Sequence, residues 1–148
     1  SDGIISVVAT DHAAVPLVAV YIRKAKALEV PGAETFLPIM LSEGVNKGRI
    51  SLSKLVEVCC YNPARIFGLA PRKGVISIGA DADLVLIDLE KEDIVPGKPL
   101  YSDSDISVFA GWKLKGWPVL TMLRGEVVAE EGKVTGQAGY GRFVPGQQ

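Results

Sequence analysis

The chain has one histidine in 148 residues and two cysteines that sit side by side. By itself it cannot furnish the His-rich cluster that a catalytic transition metal commonly uses. Its net charge is only −1, which removes the electrostatic case for nucleic acid or an anionic membrane surface as partner. No apolar run reaches the ~18 residues needed to span a bilayer. Nor does a basic segment with a cleavage site indicate secretion. Cys59 and Cys60 are adjacent on a predicted helix, where neighbouring side chains diverge and cannot bridge or clip a metal. They read as core thiols of a reducing compartment, which places the protein in the cytoplasm.

What is present is a globular composition. Hydrophobic residues make up 48% and charged residues 22%, enough to bury a sizeable core in one ordinary domain. Sixteen glycines and nine prolines, concentrated after residue 70, predict a second half rich in tight turns and strands.

The first half reads as α/β. Residues 4–10, Ile-Ile-Ser-Val-Val-Ala-Thr, predict a buried strand. Because it opens the chain with almost no leader and no parallel neighbour, it reads as a cut end. A helix is expected from Pro16 to Val30. Thr35 is expected to cap another through Met40 and Leu41, stopping near Gly44, with Pro38 in its first turn. Ser51 opens a third, with Leu52, Leu55, Val56, Cys59 and Cys60 on one core-facing stripe. Asn62 is expected to cap a short helix that starts at Pro63 and ends on Gly68.

Beyond a boundary near residues 70–74 the period changes. Val75–Ile78 and Leu84–Leu89 predict strands around a Gly79–Asp83 turn. Val119–Leu123 and Glu126–Ala129 predict a hairpin turning at Arg124-Gly125, and Lys133-Val134 follows a Glu131-Gly132 turn. The Gly-rich tail around Tyr140 and Phe143 is expected to pack as an irregular arm.

Thr10-Asp11-His12, at the end of the first apolar run, is the most informative local feature. Active sites of parallel α/β folds gather at such strand ends. Taken alone, an Asp in this place is most often a turn or cap residue that satisfies backbone N–H groups.

Five motifs shift that balance. They are Thr10-Asp11-His12-Ala13; Pro31-Gly32-Ala33-Glu34-Thr35-Phe36-Leu37-Pro38; Ser42-Glu43-Gly44-Val45-Asn46-Lys47-Gly48-Arg49-Ile50; Asn62-Pro63-Ala64-Arg65-Ile66-Phe67-Gly68; and Gly79-Ala80-Asp81-Ala82-Asp83-Leu84-Val85. In this order and spacing the chain resembles the C-terminal third of the metal-dependent cyclic amidohydrolases, the group of hydantoinase (dihydropyrimidinase), dihydroorotase and allantoinase.

The resemblance implies a (β/α)8 TIM barrel with a small β-sandwich. Residues 1–70 would hold the last barrel strand and closing helices, and residues 71–148 the C-terminal share of the sandwich and an arm. It also implies two divalent metal ions, zinc in most members, bridged by a carboxylated lysine upstream of residue 1 together with the His ligands. Asp11 would be a metal ligand and the catalytic acid/base for hydrolysis of a C–N bond in a cyclic amide or ureide by metal-bound hydroxide. His12 would orient or pack beside it rather than ligate. Backbone around Ala13, Val15, Leu28 and Val30 would border the substrate, and the assembly would be a homodimer or homotetramer.

Departures refine the expectation. Dihydroorotases carry Pro-His after Asp-His-Ala; Ala14-Val15 stand here, and Val15 cannot donate a hydrogen bond to a substrate carboxylate. Glu43–Arg49 and Gly111–Val119 lean toward the hydantoinase branch, with dihydroorotase or allantoinase activity as the alternative. From another class, a non-catalytic scaffold or regulatory relative is the rival reading. An independent small binding module is disfavoured, because a lone barrel strand exposes both apolar faces.

The remaining motifs have plainer readings. Asp81 and Asp83 read as turn formers, and Gly44–Arg49 lacks the Walker spacing of a phosphate loop. Trp112 and Trp117 are expected to pack a sheet or interface rather than stack bases.

Overall fold

The structure, a computed structural model, describes residues 3–13 and 31–146. The helix expected from Pro16 to Val30 lies outside the described residues. Among the described residues the helices lie between residues 36 and 66, and the strands follow from residue 84.

Helix α1 (Phe36–Ile39) runs without a break into a π-helical segment, Met40–Asn46. It ends at Asn46, two residues past the Gly44 near which it was expected to stop. Two donors, Arg49 N–H and Ile50 N–H, finally converge on the Gly44 carbonyl at 2.9 and 3.2 Å and end it. Pro38 lies in the first turn, where a missing N–H breaks no intrahelical bond. Thr35 holds the N-cap position but its side chain does not cap. Its hydroxyl donates to Gly32 O at 3.4 Å instead.

Helix α2 (Leu52–Val56) begins as its sequence predicts, with Ser51 Oγ accepting the Lys54 N–H at 3.1 Å. Such a cap contributes about 1 kcal/mol. The helix continues through a π-helical stretch, Glu57–Tyr61, into α3 (Asn62–Ile66). No restart occurs at Asn62, whose amide donates to Ser6 O at 2.8 Å and so ties the amino-terminal segment to this helix. The predicted stripe is also corrected. Leu55 and Val58 are buried, whereas Leu52, Val56 and Cys60 are exposed. Bonding from i to i+5 over Glu57–Tyr61 shifts Cys60 off the α-helical period, whereas Leu52 and Val56 lie in the α-helical part and are simply not covered by any described residue.

Four strands form an antiparallel meander in the order β1 (Leu84–Ile94), β2 (Lys113–Leu123), β3 (Glu126–Glu130), β4 (Lys133–Val134). The Arg124-Gly125 hairpin turn is present, with φ of 49° and 86°. Positive φ at both central residues matches the right-handed twist of the flanking strands. No strand forms over Val75–Ile78, where Ile76 and Ile78 face solvent. That segment is bounded instead by ion pairs from Lys73 to Asp81 and Asp83 and from Arg72 to Asp81.

Helix α1 and its π-helical continuation dock on β2. Leu41 and Leu114 are both essentially inaccessible, each burial being worth about 1.5–3 kcal/mol. Ser42 Oγ accepts the Lys115 N–H at 3.2 Å, and the Asn46 amide donates to Lys115 O at 2.7 Å and Leu89 O at 3.0 Å. Asn46 thus fills a bulge in which β1 spends three residues between Asp88 and Glu92 while β2 spends only Gly116. Gly116 has φ +102°, and a Cβ there would meet Leu41 Cβ at 2.8 Å. Glycine is what lets strand and helix approach this closely.

The expected strand at residues 4–10 does not form. Ile4 and Ile5 are exposed, and the segment has no strand partner among the described residues. It is held by the Asn62 contact and by Val8 N–H donating to Val58 O at 3.2 Å. The tail is irregular as expected, anchored where the Arg124 guanidinium stacks 4.3 Å from the Tyr140 ring and donates to Tyr140 O at 2.6 Å. No helix of the described residues is long and apolar enough to cross a membrane.

Candidate functional site

Asp11 sits where the amino-terminal segment bends. Its φ is +46°, in the left-handed region that Asp enters more readily than most side chains. The residue is exposed, and no donor among the described residues engages its carboxylate. A free, solvent-facing oxygen donor of this kind fits a divalent cation. One carboxylate is not a site, however, and no group of three or more His, Cys, Asp or Glu among the described residues could hold a metal.

His12 is placed by a different set of bonds. Its Nδ1 accepts the backbone N–H groups of Gly32 and Ala33, each at 3.1 Å. Its own N–H donates to Thr10 Oγ1 at 3.2 Å. A nitrogen that receives two N–H groups carries the lone pair, so the neutral ring bears its proton on Nε2. Neither ring nitrogen is then presented as a metal ligand. The ring instead ties the Asp11 bend to the turn 31–35, across 20 residues of sequence.

That turn is built by Gly32. Its carbonyl accepts Thr35 N–H at 3.3 Å and Phe36 N–H at 2.9 Å. Thr10 also packs against it, since a Cβ at Gly32 would lie 3.5 Å from Thr10 Cβ. Pro31 is buried and presets the entry to the turn.

On its far side the turn carries Glu34, to which sequence reasoning assigned no role. Its Oε2 accepts Leu100 N–H at 2.9 Å. Its Oε1 accepts Tyr101 N–H at 3.0 Å and both the N–H and hydroxyl of Ser102 at 2.9 Å. Burial pushes this carboxyl up, but the backbone donors of Leu100, Tyr101 and Ser102 with the Ser102 hydroxyl outweigh it and hold the group below its ordinary range. The only signal in the sequence was an acidic residue inside a Pro-Gly-x-Glu turn.

Other expected residues separate clearly. Ala13 lies next to the His12 bend and is half-buried, while Val15, Leu28 and Val30 lie outside the described residues. Asp81 and Asp83 are neutralised by Lys73 and Arg72; the Lys73 hydrogen bond lowers the Asp81 carboxyl, and Asp83 Oδ1 accepts Arg124 N–H at 2.8 Å. They are turn and hairpin anchors, as expected. Trp117 donates from Nε1 to Leu114 O at 3.1 Å, and Trp112 meets Phe109 edge-to-face at 5.4 Å. Partial desolvation pushes the half-buried Cys59 thiol up, and that of Cys60 as well although its surface is exposed.

These features define a mixed helix-and-sheet chain in which Asp11 is exposed, with no donor on its carboxylate among the described residues, at a bend that His12 ties to a part-buried turn. The model of the amidohydrolase family matches residues 1–128, and the chain belongs to the amidohydrolase family. It is 50% identical over 113 residues to an L-hydantoinase of Paenarthrobacter aurescens, covering 76% of this chain and 25% of that protein. A D-phenylhydantoinase of Escherichia coli O1:K1 is 39% identical over 149 aligned positions, covering 97% and 32%. Among solved structures, the L-hydantoinase (dihydropyrimidinase) from Arthrobacter aurescens superposes with a TM-score of 0.79 at 48% identity, over 84% of this chain and 27% of that one. The D-hydantoinase from a Thermus species superposes with 0.88 at 30% identity, over 95% and 31%. The chain thus spans between a quarter and a third of the length of these relatives.

Proposed function

We infer that the chain is the C-terminal part of a metal-dependent cyclic amidohydrolase of the hydantoinase type, which opens the ring of a small cyclic ureide such as a hydantoin or dihydropyrimidine. The observation that carries this reading is Asp11: an exposed carboxylate at a left-handed bend, with no donor on it among the described residues, joined through His12 to the turn 31–35. Similarity to proteins named L- and D-hydantoinase supports the substrate class. In this reading residues 1–70 close a TIM barrel, and residues 71–148 form the C-terminal share of a β-sandwich with its arm.

Asp11 would hold one of two divalent metals, zinc by expectation, whose other ligands and bridging carboxylated lysine come from outside these residues. Bound there, such a pair brings the pKa of water to about 7 and polarises the carbonyl. Asp11 takes a proton from the attacking water as its oxygen adds to the ring carbonyl carbon. The C–N bond then breaks as the ring nitrogen takes that proton from Asp11, leaving a carboxylate and a ureido nitrogen. His12 keeps Asp11 at the bend without ligating, and backbone around Ala13, Val15, Leu28 and Val30 borders the ring. A homodimer or homotetramer in the cytoplasm completes the proposal.

The test is made on the full-length protein, with metal content and turnover measured together. Binding of about two divalent ions per subunit, with hydrolysis of dihydrouracil or a 5-substituted hydantoin, is the expected result. Metal-loaded protein that hydrolyses none of these rings overturns the assignment and favours a scaffold.

A further inference from the structure

Glu34 has no place in the chemistry just described, yet its carboxylate receives four hydrogen bonds from one short loop. Charge-assisted bonds of this kind are roughly twice as strong as neutral ones. The loop is itself tied to the sheet. Tyr101 hydroxyl donates to Gly132 O at 3.2 Å in the β3–β4 turn and accepts Val134 N–H at 3.1 Å from β4. Glu34 directly follows Ala33, whose N–H, with that of Gly32, is held by His12 Nδ1. The turn 31–35 is therefore gripped from both sides: by His12 toward Asp11, and by Glu34 toward the sheet.

A turn held only by His12 would leave Asp11 no better placed than the turn itself. Anchored by Glu34, the turn inherits the position of the sheet, and a clamped bend can present Asp11 at one location. Sub-ångström misplacement of a reacting group is enough to matter for catalysis.

We propose that Glu34 is a positioning residue for Asp11, acting through the turn 31–35 and His12 by fixing that turn to the loop 100–102. This rests on Asp11 being the acid/base, and the test separates the two claims.

Glu34→Ala, Glu34→Gln, His12→Ala and the double variant His12→Ala/Glu34→Ala are made in the full-length metal-loaded protein. Hydrogen exchange at the Gly32 and Ala33 amides is followed beside kcat, KM and metal content. Glu34→Ala is expected to speed exchange at those amides and lower kcat by about 10- to 100-fold, with KM and metal content little changed. Glu34→Gln keeps Oε1 and its three donors, so it is expected to fall between wild type and Glu34→Ala. Acting through one turn, the two alanine substitutions should not multiply, leaving the double variant about as slow as the slower single one. Multiplying effects, or wild-type exchange at Gly32 and Ala33 in Glu34→Ala, overturn the proposal. An inactive wild type overturns the functional reading alone, because the exchange measurement still decides the role of Glu34.

Discussion

The Nδ1 atom of His12 accepts the backbone N–H groups of both Gly32 and Ala33 at 3.1 Å. A residue adjacent to Asp11 thereby turns away from the ligand role its chemistry permits and becomes the link between the bend and the turn 31–35. Removing it leaves two amides without their acceptor and Asp11 without its brace. His12→Ala is expected to lower kcat of the metal-loaded full-length protein by about 10- to 100-fold. His12→Asn, whose side-chain oxygen can take the place of Nδ1, is expected to recover part of that loss. Steady-state kinetics on both variants, with metal content unchanged, check this. Loss of one metal equivalent in His12→Ala would instead mark His12 as a ligand.

Asn46 joins the helical half to the sheet, and it does so at two carbonyls, Leu89 O and Lys115 O. Asn46→Ala removes both bonds at the β1 bulge and is expected to cost about 1–2 kcal/mol, since each net bond is worth roughly 0.5–1.5 kcal/mol. A lower urea midpoint at unchanged m-value is the expected readout.

At Gly116 two constraints coincide: φ +102° and a Cβ position 2.8 Å from Leu41 Cβ. Gly116→Ala is expected to destabilise by roughly 2 kcal/mol or more, combining backbone strain with overpacking against Leu41. Shortening Leu41 to Val in the same background should recover none of the loss, because Val keeps the Cβ that the new methyl meets. Thermal unfolding of the single and double variants measures it.

The Glu34 carboxyl titrates below its ordinary value of 4.5 in the folded chain; burial alone would raise it, but its four donors prevail. A group with a depressed folded pKa stabilises fully above its unfolded pKa, and that contribution is lost as pH falls through the folded value. The stability difference between wild type and Glu34→Gln is therefore expected to be largest near neutral pH and to shrink as pH falls below about 4.5. Urea unfolding of both proteins across that range tests the sign.

Local chemistry was legible in the sequence. Ser51 caps α2 and Arg124-Gly125 turns the hairpin, because each depends on a partner within a few residues or on a backbone angle. Errors fell where a partner lies far along the chain. Asn62 has the composition of a cap, but Ser6 O, 56 residues away, takes its amide. Val75–Ile78 has the composition of a strand but finds no neighbour among the described residues to pair with. The Leu52–Cys60 stripe assumed an α-helical period that the π-helical stretch Glu57–Tyr61 does not keep. Asp11 is singled out by its place after an apolar run, whereas nothing in the sequence singles out Glu34, whose donors stand 66 to 68 residues on.

Asp11→Asn in the full-length metal-loaded protein tests the central claim most directly. Asn keeps the shape and a ligating oxygen but cannot take and return a proton. Turnover of dihydrouracil or a 5-substituted hydantoin is expected to fall at least about 100-fold, the lower range of general acid/base contributions, while the protein stays folded. Wild-type turnover in Asp11→Asn, with metal bound, would contradict the account.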